Sequence, residues 1–88
     1  MCEEMRKLCD YLDSKGIAWD DGSCRGISQI RFLYRRKRWS AINGIGTIGG
    51  QYNHLAENRG LLEVWDLCKS HQPIGNLTAE QAIEIMGI

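Results

Sequence analysis

Apolar residues return at helical spacing at both ends of the chain and alternate in the middle. Met1, Met5, Leu8, Cys9 and Leu12 share one face of a predicted helix, with Glu3, Glu4, Arg6, Lys7 and Asp10 on the other. The early acids suit the positive end of the helix dipole, and Gly16 is a natural stop. Ile17-Ala18-Trp19 is short and apolar, runs into the turn-rich Asp20-Asp21-Gly22-Ser23, and reads as a short edge strand. From Ser28 the period becomes two. Ile30, Phe32 and Tyr34 lie on one face of a strand and Arg31, Leu33 and Arg35 on the other. Arg36-Lys37 separates this run from Trp39-Ser40-Ala41-Ile42-Asn43, so an antiparallel hairpin is expected. Arginine and lysine fit poorly in the positive-φ turns of tight hairpins, which predicts a connection slightly longer than two residues.

Residues 51–59 are polar and read as irregular. After Gly60, the spacing of Leu61, Leu62, Val64, Trp65 and Cys68 predicts a short helix, with a strand over 61–65 as the competing reading. Pro73 and Gly75 read as breakers. Thr78 with Gln81 three residues on is a capping-box signature, from which Ala79, Ala82, Ile83 and Met86 face inward until Gly87 ends the helix. The expectation is a single α+β domain over 1–88. It has a small antiparallel sheet of about three strands packed with N-terminal and C-terminal helices. Such a sheet has exposed edges, and self-association is one means of covering them, so a homodimer or higher homo-oligomer is expected.

Composition narrows the classes. The 88 residues are 43% hydrophobic and 25% charged, as in an ordinary folded domain. The formal charge is zero, so any electrostatic role is local. No apolar run approaches the roughly 20 residues of a spanning helix, and the acidic start is unlike an export signal. A cytoplasmic protein with no membrane partner is expected. Cys2, Cys9, Cys24 and Cys68 form no CxxC pair; without an export signal they read as free thiols, Cys9 and Cys68 on apolar helix faces. Cys24, Cys68, His54 and His71 are too scattered to predict a zinc site.

The densest signal is Gly44-Ile45-Gly46-Thr47-Ile48-Gly49-Gly50, with four glycines in seven positions. Its isoleucines and lack of serine distinguish it from a flexible linker. Gly44-x-Gly46-x-x-Gly49 formally matches the dinucleotide fingerprint, but that motif needs a parallel strand–helix–strand unit, and the strand here belongs to a hairpin. Glu63, near the offset of a ribose-binding acid, falls in the predicted helix. A Rossmann assignment fails. What remains is a run of unhindered amides that can form an anion-binding concavity, or else a tight packing turn. Around it Trp39 and Tyr52 can stack on a base, and Asn43, Thr47, Gln51 and Asn53 offer hydrogen bonds. Arg38, His54 and Arg59 can meet phosphate. With Gly44, Gly46, Gly49 and Gly50 these make the candidate ligand site. Core packing is the competing role for Trp39, and solvated loop positions for His54 and Arg59.

Arg35-Arg36-Lys37-Arg38-Trp39 mixes cations with an aromatic, as single-stranded nucleic-acid binders do. The same run keeps a sheet edge soluble, and the neutral chain lacks a dedicated binder's basic bias, so nucleic acid is not the expected partner. Asp20, Asp21, Glu57, Glu63 and Asp66 have no sequence partner that specifies a reaction. No nucleophile–base pair is evident, so neither an enzyme nor a cofactor is expected.

The chain resembles small phage- and prophage-encoded proteins. The resemblance rests on Met5-Arg6-Lys7-Leu8 leading to Gly16-Ile17-Ala18-Trp19, on residues 39–50, on Gly60-Leu61-Leu62-Glu63 and on Leu77-Thr78-Ala79-Glu80. It implies an anti-defence factor in a bacterial host cell. One such class is a sponge that sequesters a nucleotide-derived immune signal, a cyclic ADP-ribose isomer or a cyclic oligonucleotide (anti-Thoeris or anti-CBASS type). Another class blocks a host defence enzyme by direct contact. The glycine loop with its aromatics and cations suits the sponge, which needs no catalysis.

Overall fold

A computed structural model describes residues 2–23, 27–44, 60–68 and 73–88. Helix α1 (Glu3–Ser14) leads into strands β1 (Trp19–Asp21), β2 (Ser28–Tyr34), β3 (Lys37–Asn43), β4 (Leu62–Asp66) and β5 (Ile74–Leu77), and helix α2 (Ala79–Met86) closes the chain. The five strands form one sheet in the order β1-β2-β3-β4-β5, each antiparallel to its neighbours. The α+β class holds, but the sheet has five strands where about three were expected.

The two extra strands come from one misread period and one misread pair of breakers. The helical spacing of Leu61, Leu62, Val64, Trp65 and Cys68 is a coincidence of an alternating strand. Leu62 and Val64 are buried, while Trp65 is exposed. Cys68 lies in the turn after β4 and is exposed rather than on an apolar helix face. In β5 the register advances from Leu62↔Leu77 to Val64↔Ile74, two residues on β4 against three on β5. This is a bulge, with Asn76 at φ 60. Gly75 marks that irregularity within a strand rather than a break.

Both helices cover one face of the sheet, against a core of Met5, Leu8, Leu12, Ile30, Phe32, Trp39, Ala41, Leu62, Val64, Ala82 and Met86. They are tied together at both ends. Glu4 Oε1 accepts from the Ala79 amide at the start of α2 at 2.8 Å, and the Tyr11 hydroxyl donates to the Ile88 carbonyl at 2.8 Å. Trp19 Nε1 donates to Asp13 of α1 at 3.0 Å, fastening β1 to the same layer. The capping box forms as predicted, with Thr78 Oγ1 accepting from Gln81 N and Gln81 Oε1 from Thr78 N; Gly87 ends α2 in the left-handed region.

The β2–β3 hairpin holds in register from Ser28↔Asn43 to Tyr34↔Lys37. Its connection is two residues, Arg35 and Arg36, shorter than expected. Both take positive φ, 49° and 67°, the form that matches strand twist and normally selects Asn-Gly. The Arg35 guanidinium rests over the Tyr34 ring, 5.1 Å from its centre, which offsets part of the cost.

Candidate functional site

Residues 44–61 join two neighbouring antiparallel strands, β3 and β4. Hairpins need only about two to five residues for this. An antiparallel pair also excludes the parallel crossover that a dinucleotide fingerprint requires, which agrees with rejecting that motif.

The base of this excursion is firmly built. Asn43, the last residue of β3, is fully buried, and its Nδ2 donates to the Leu61 carbonyl at 2.7 Å. One side chain thus bolts the outgoing strand to the returning one. Because the amide nitrogen is fixed by that carbonyl, the other end of the side chain is defined as Oδ1, which is buried with no hydrogen-bond partner among the described residues. An unmet buried acceptor costs about 1–3 kcal/mol, so a donor at this position would be strongly favoured. Gly44 follows. A Cβ there would lie 2.7 Å from Ile27 Cγ1 and 2.9 Å from its Cα, closer than real side chains approach. Gly44 is therefore required by close packing, not by a special backbone angle.

The predicted site residues separate accordingly. Trp39 is buried in the core, opposite Phe32, and its indole N–H has no hydrogen-bond partner among the described residues. Arg38 precedes it on the strand and projects to the other face of the sheet. The pleat therefore turns the Arg38 side chain away from that of Asn43, although Arg38 and Trp39 both line one cleft. Gly46, Thr47, Gly49, Gly50, Gln51, Tyr52, Asn53, His54 and Arg59 lie outside the described residues.

A second feature, only partly foreseen in the sequence, is the face of the sheet away from the helices. A cleft of about 510 Å³ there is lined by Asp20, Arg31, Phe32, Leu33, Arg38, Trp39 and Leu67. Alternation in 28–35 signalled that Arg31 and Leu33 share a face. Asp20 joins them only through the pairing of β1 with β2, and Leu67, just after β4, only through the pairing of β4 with β3, which no local pattern encodes.

Among the described residues no helix is long and apolar enough to cross a membrane. No family model matches the chain, and no solved structure does. Human sodium/potassium/calcium exchanger 1 is 45% identical over 51 residues, a stretch that takes in 52% of this chain and 5% of the exchanger. A likeness to so small a part of a long protein does not reach the activity of the whole.

Proposed function

We propose that the protein is a non-catalytic binding protein that sequesters a nucleotide-derived signalling molecule, a cyclic ADP-ribose isomer or a cyclic oligonucleotide. It would act as a phage-type anti-defence factor in the cytoplasm of a bacterial host. The observation that supports this reading most is the base of the glycine-rich excursion. Asn43 clamps its two ends and keeps a buried acceptor, Oδ1, without a donor among the described residues. Binding loops gain affinity when their anchors are rigid before the ligand arrives. With Trp39 committed to the core, Tyr52 is the aromatic left for base stacking, and Arg59 and His54 are the groups left for phosphate. Self-association, burying the edge strands β1 and β5, belongs to the same reading.

Isothermal calorimetry against cyclic ADP-ribose isomers and cyclic oligonucleotides tests it. Saturable heat is expected, lost in Gly46→Val and Gly49→Val while the circular dichroism spectrum is retained. The bound molecule should be released intact on denaturation and identified by mass spectrometry. Absence of heat across the panel overturns the reading.

A further inference from the structure

Alternate residues of the same strands build two unlike surfaces, and only one is covered by helices. The other carries the cleft described above. Leu33 is 61% exposed and Leu67 40% exposed at its rim. Exposed apolar groups gathered at one cleft and rimmed by polar residues are a feature of interaction surfaces.

Charge says what kind of partner fits. From Ser28 to Asn43 the chain carries Arg31, Arg35, Arg36, Lys37 and Arg38 and not one carboxylate. In a chain of zero net charge, this hairpin is a concentrated positive patch, while the two helices on the opposite side carry six carboxylates against two cations. Arg31 and Arg38 make no ion pair within the described residues, although both line the cleft. Arg31 stands opposite Asp20 on β1, a carboxylate of the cleft itself, and Arg38 opposite Leu33 on β2, so two guanidinia face one acid among the lining residues.

The turn points the same way. Arg35 and Arg36 hold positive φ, where Asn-Gly would be relaxed. Arginine is kept at a conformational cost at the end of the very hairpin that lines the cleft.

We infer that this face is a docking site for an acidic polypeptide segment bearing leucine-type side chains. Carboxylates would pair with the Arg31 and Arg38 guanidinia, and the aliphatic groups would pack on Leu33 and Leu67. Guanidinium forks recognise carboxylates in two-bond geometry, which sets register along the segment. A nucleic acid would also meet the charge, but its bases need aromatic platforms. The two aromatics of the lining, Phe32 and Trp39, are buried in the core, its exposed apolar side chains are Leu33 and Leu67, and the exposed Trp65 is not among the lining residues. The inference stands apart from the nucleotide site, since it uses neither Asn43 nor the glycine-rich excursion.

Fluorescence anisotropy at low salt with a labelled peptide of about twelve residues, long enough to cross the sheet, tests it. The probe is composed of glutamate, leucine and serine. Saturable binding is expected, weakened by about tenfold or more in the double variant Arg31→Glu/Arg38→Glu. Leu33→Ser/Leu67→Ser should weaken it too, and so should replacing the peptide's leucines with serine. All four substitutions are at exposed positions, and unchanged circular dichroism confirms that the fold survives. No saturable binding, or binding indifferent to charge reversal, overturns the inference. Tighter binding of an oligothymidylate of equal length overturns it in favour of nucleic acid. Self-association that disappears in Arg31→Glu/Arg38→Glu overturns it in favour of a second copy. The nucleotide panel run on Leu33→Ser/Leu67→Ser keeps the two sites distinct, because its heat should not change.

Discussion

The two faces of the sheet share a backbone and differ in almost everything else. Toward the helices, Ile30, Phe32, Trp39, Ala41, Leu62 and Val64 are buried and close-packed. Away from them, Arg31, Leu33, Arg38, Trp65 and Leu67 are exposed. Folding free energy comes from the first set, because apolar area removed from water is the dominant favourable term. The second set contributes little to stability, and its composition is free to answer to a partner. Stability and recognition are thereby carried by alternate residues of the same strands.

The largest expected effects break this division of labour if it is wrong. Leu8→Ala or Val64→Ala should lower unfolding free energy in urea titrations by about 2–4 kcal/mol through lost transfer energy and a residual cavity. Leu33→Ser on the bare face should change it by no more than about 0.5 kcal/mol. A large loss at Leu33 would mean that the outer face is structural after all.

Gly44→Ala comes next, with an expected loss of about 1–3 kcal/mol in the same titration. The added carbon meets the Ile27 backbone, which cannot swing aside as a side-chain tip would. Relief by Gly44→Ala/Ile27→Ala would be only partial, since Cα as well as Cγ1 is in the way. A neutral Gly44→Ala would show that the base of the excursion yields, and would weaken its case as a preformed anchor.

Legibility in the sequence followed how local each cause is. The α1 face, the β2–β3 hairpin and the Thr78–Gln81 cap are fixed by neighbours within a few positions, and all were readable. The 61–68 stretch was not, because five apolar residues at 61, 62, 64, 65 and 68 satisfy helical and alternating templates alike. Pairing with β3 decides between them, and pairing is a long-range event. β5 was hidden by its own bulge, since Pro73 and Gly75 are the residues that ordinarily end strands. Of the candidate site, core packing of Trp39 was readable as the alternative to ligand contact, whereas the burial of Asn43 and the cross-sheet meeting of Asp20, Arg31, Arg38 and Leu67 depended on the same unreadable pairings.

The hairpin turn gives a smaller effect of opposite sign. Replacing Arg35-Arg36 with Asn-Gly should stabilise the protein by about 1 kcal/mol, because both positions sit in the left-handed region. The same exchange removes two of five hairpin cations, so peptide affinity on the bare face should fall as stability rises. Stability gained with no loss of binding would confine recognition to Arg31 and Arg38.

Glu4 supplies the smallest and most specific contrast, within the covered side. The Ala79 amide that it accepts, with Lys7 Nζ 3.2 Å away, holds its carboxyl below the usual value of 4.5 despite some opposing desolvation. A carboxyl lowered in the folded state stabilises fully above its unfolded pKa, and that contribution drains away as pH falls through the lower folded value. Much of the pair is solvent-screened, so Glu4→Gln should cost only roughly 0.5 kcal/mol at pH 7. The gap between the two proteins should shrink as pH drops below 4.5, where the wild-type carboxyl gains its proton and becomes as neutral as glutamine. Urea midpoints measured from pH 7 to pH 3 would follow this. A gap that stays constant with pH would mean that the tether between α1 and α2 works through hydrogen-bond geometry alone, without help from the charge at the start of α2.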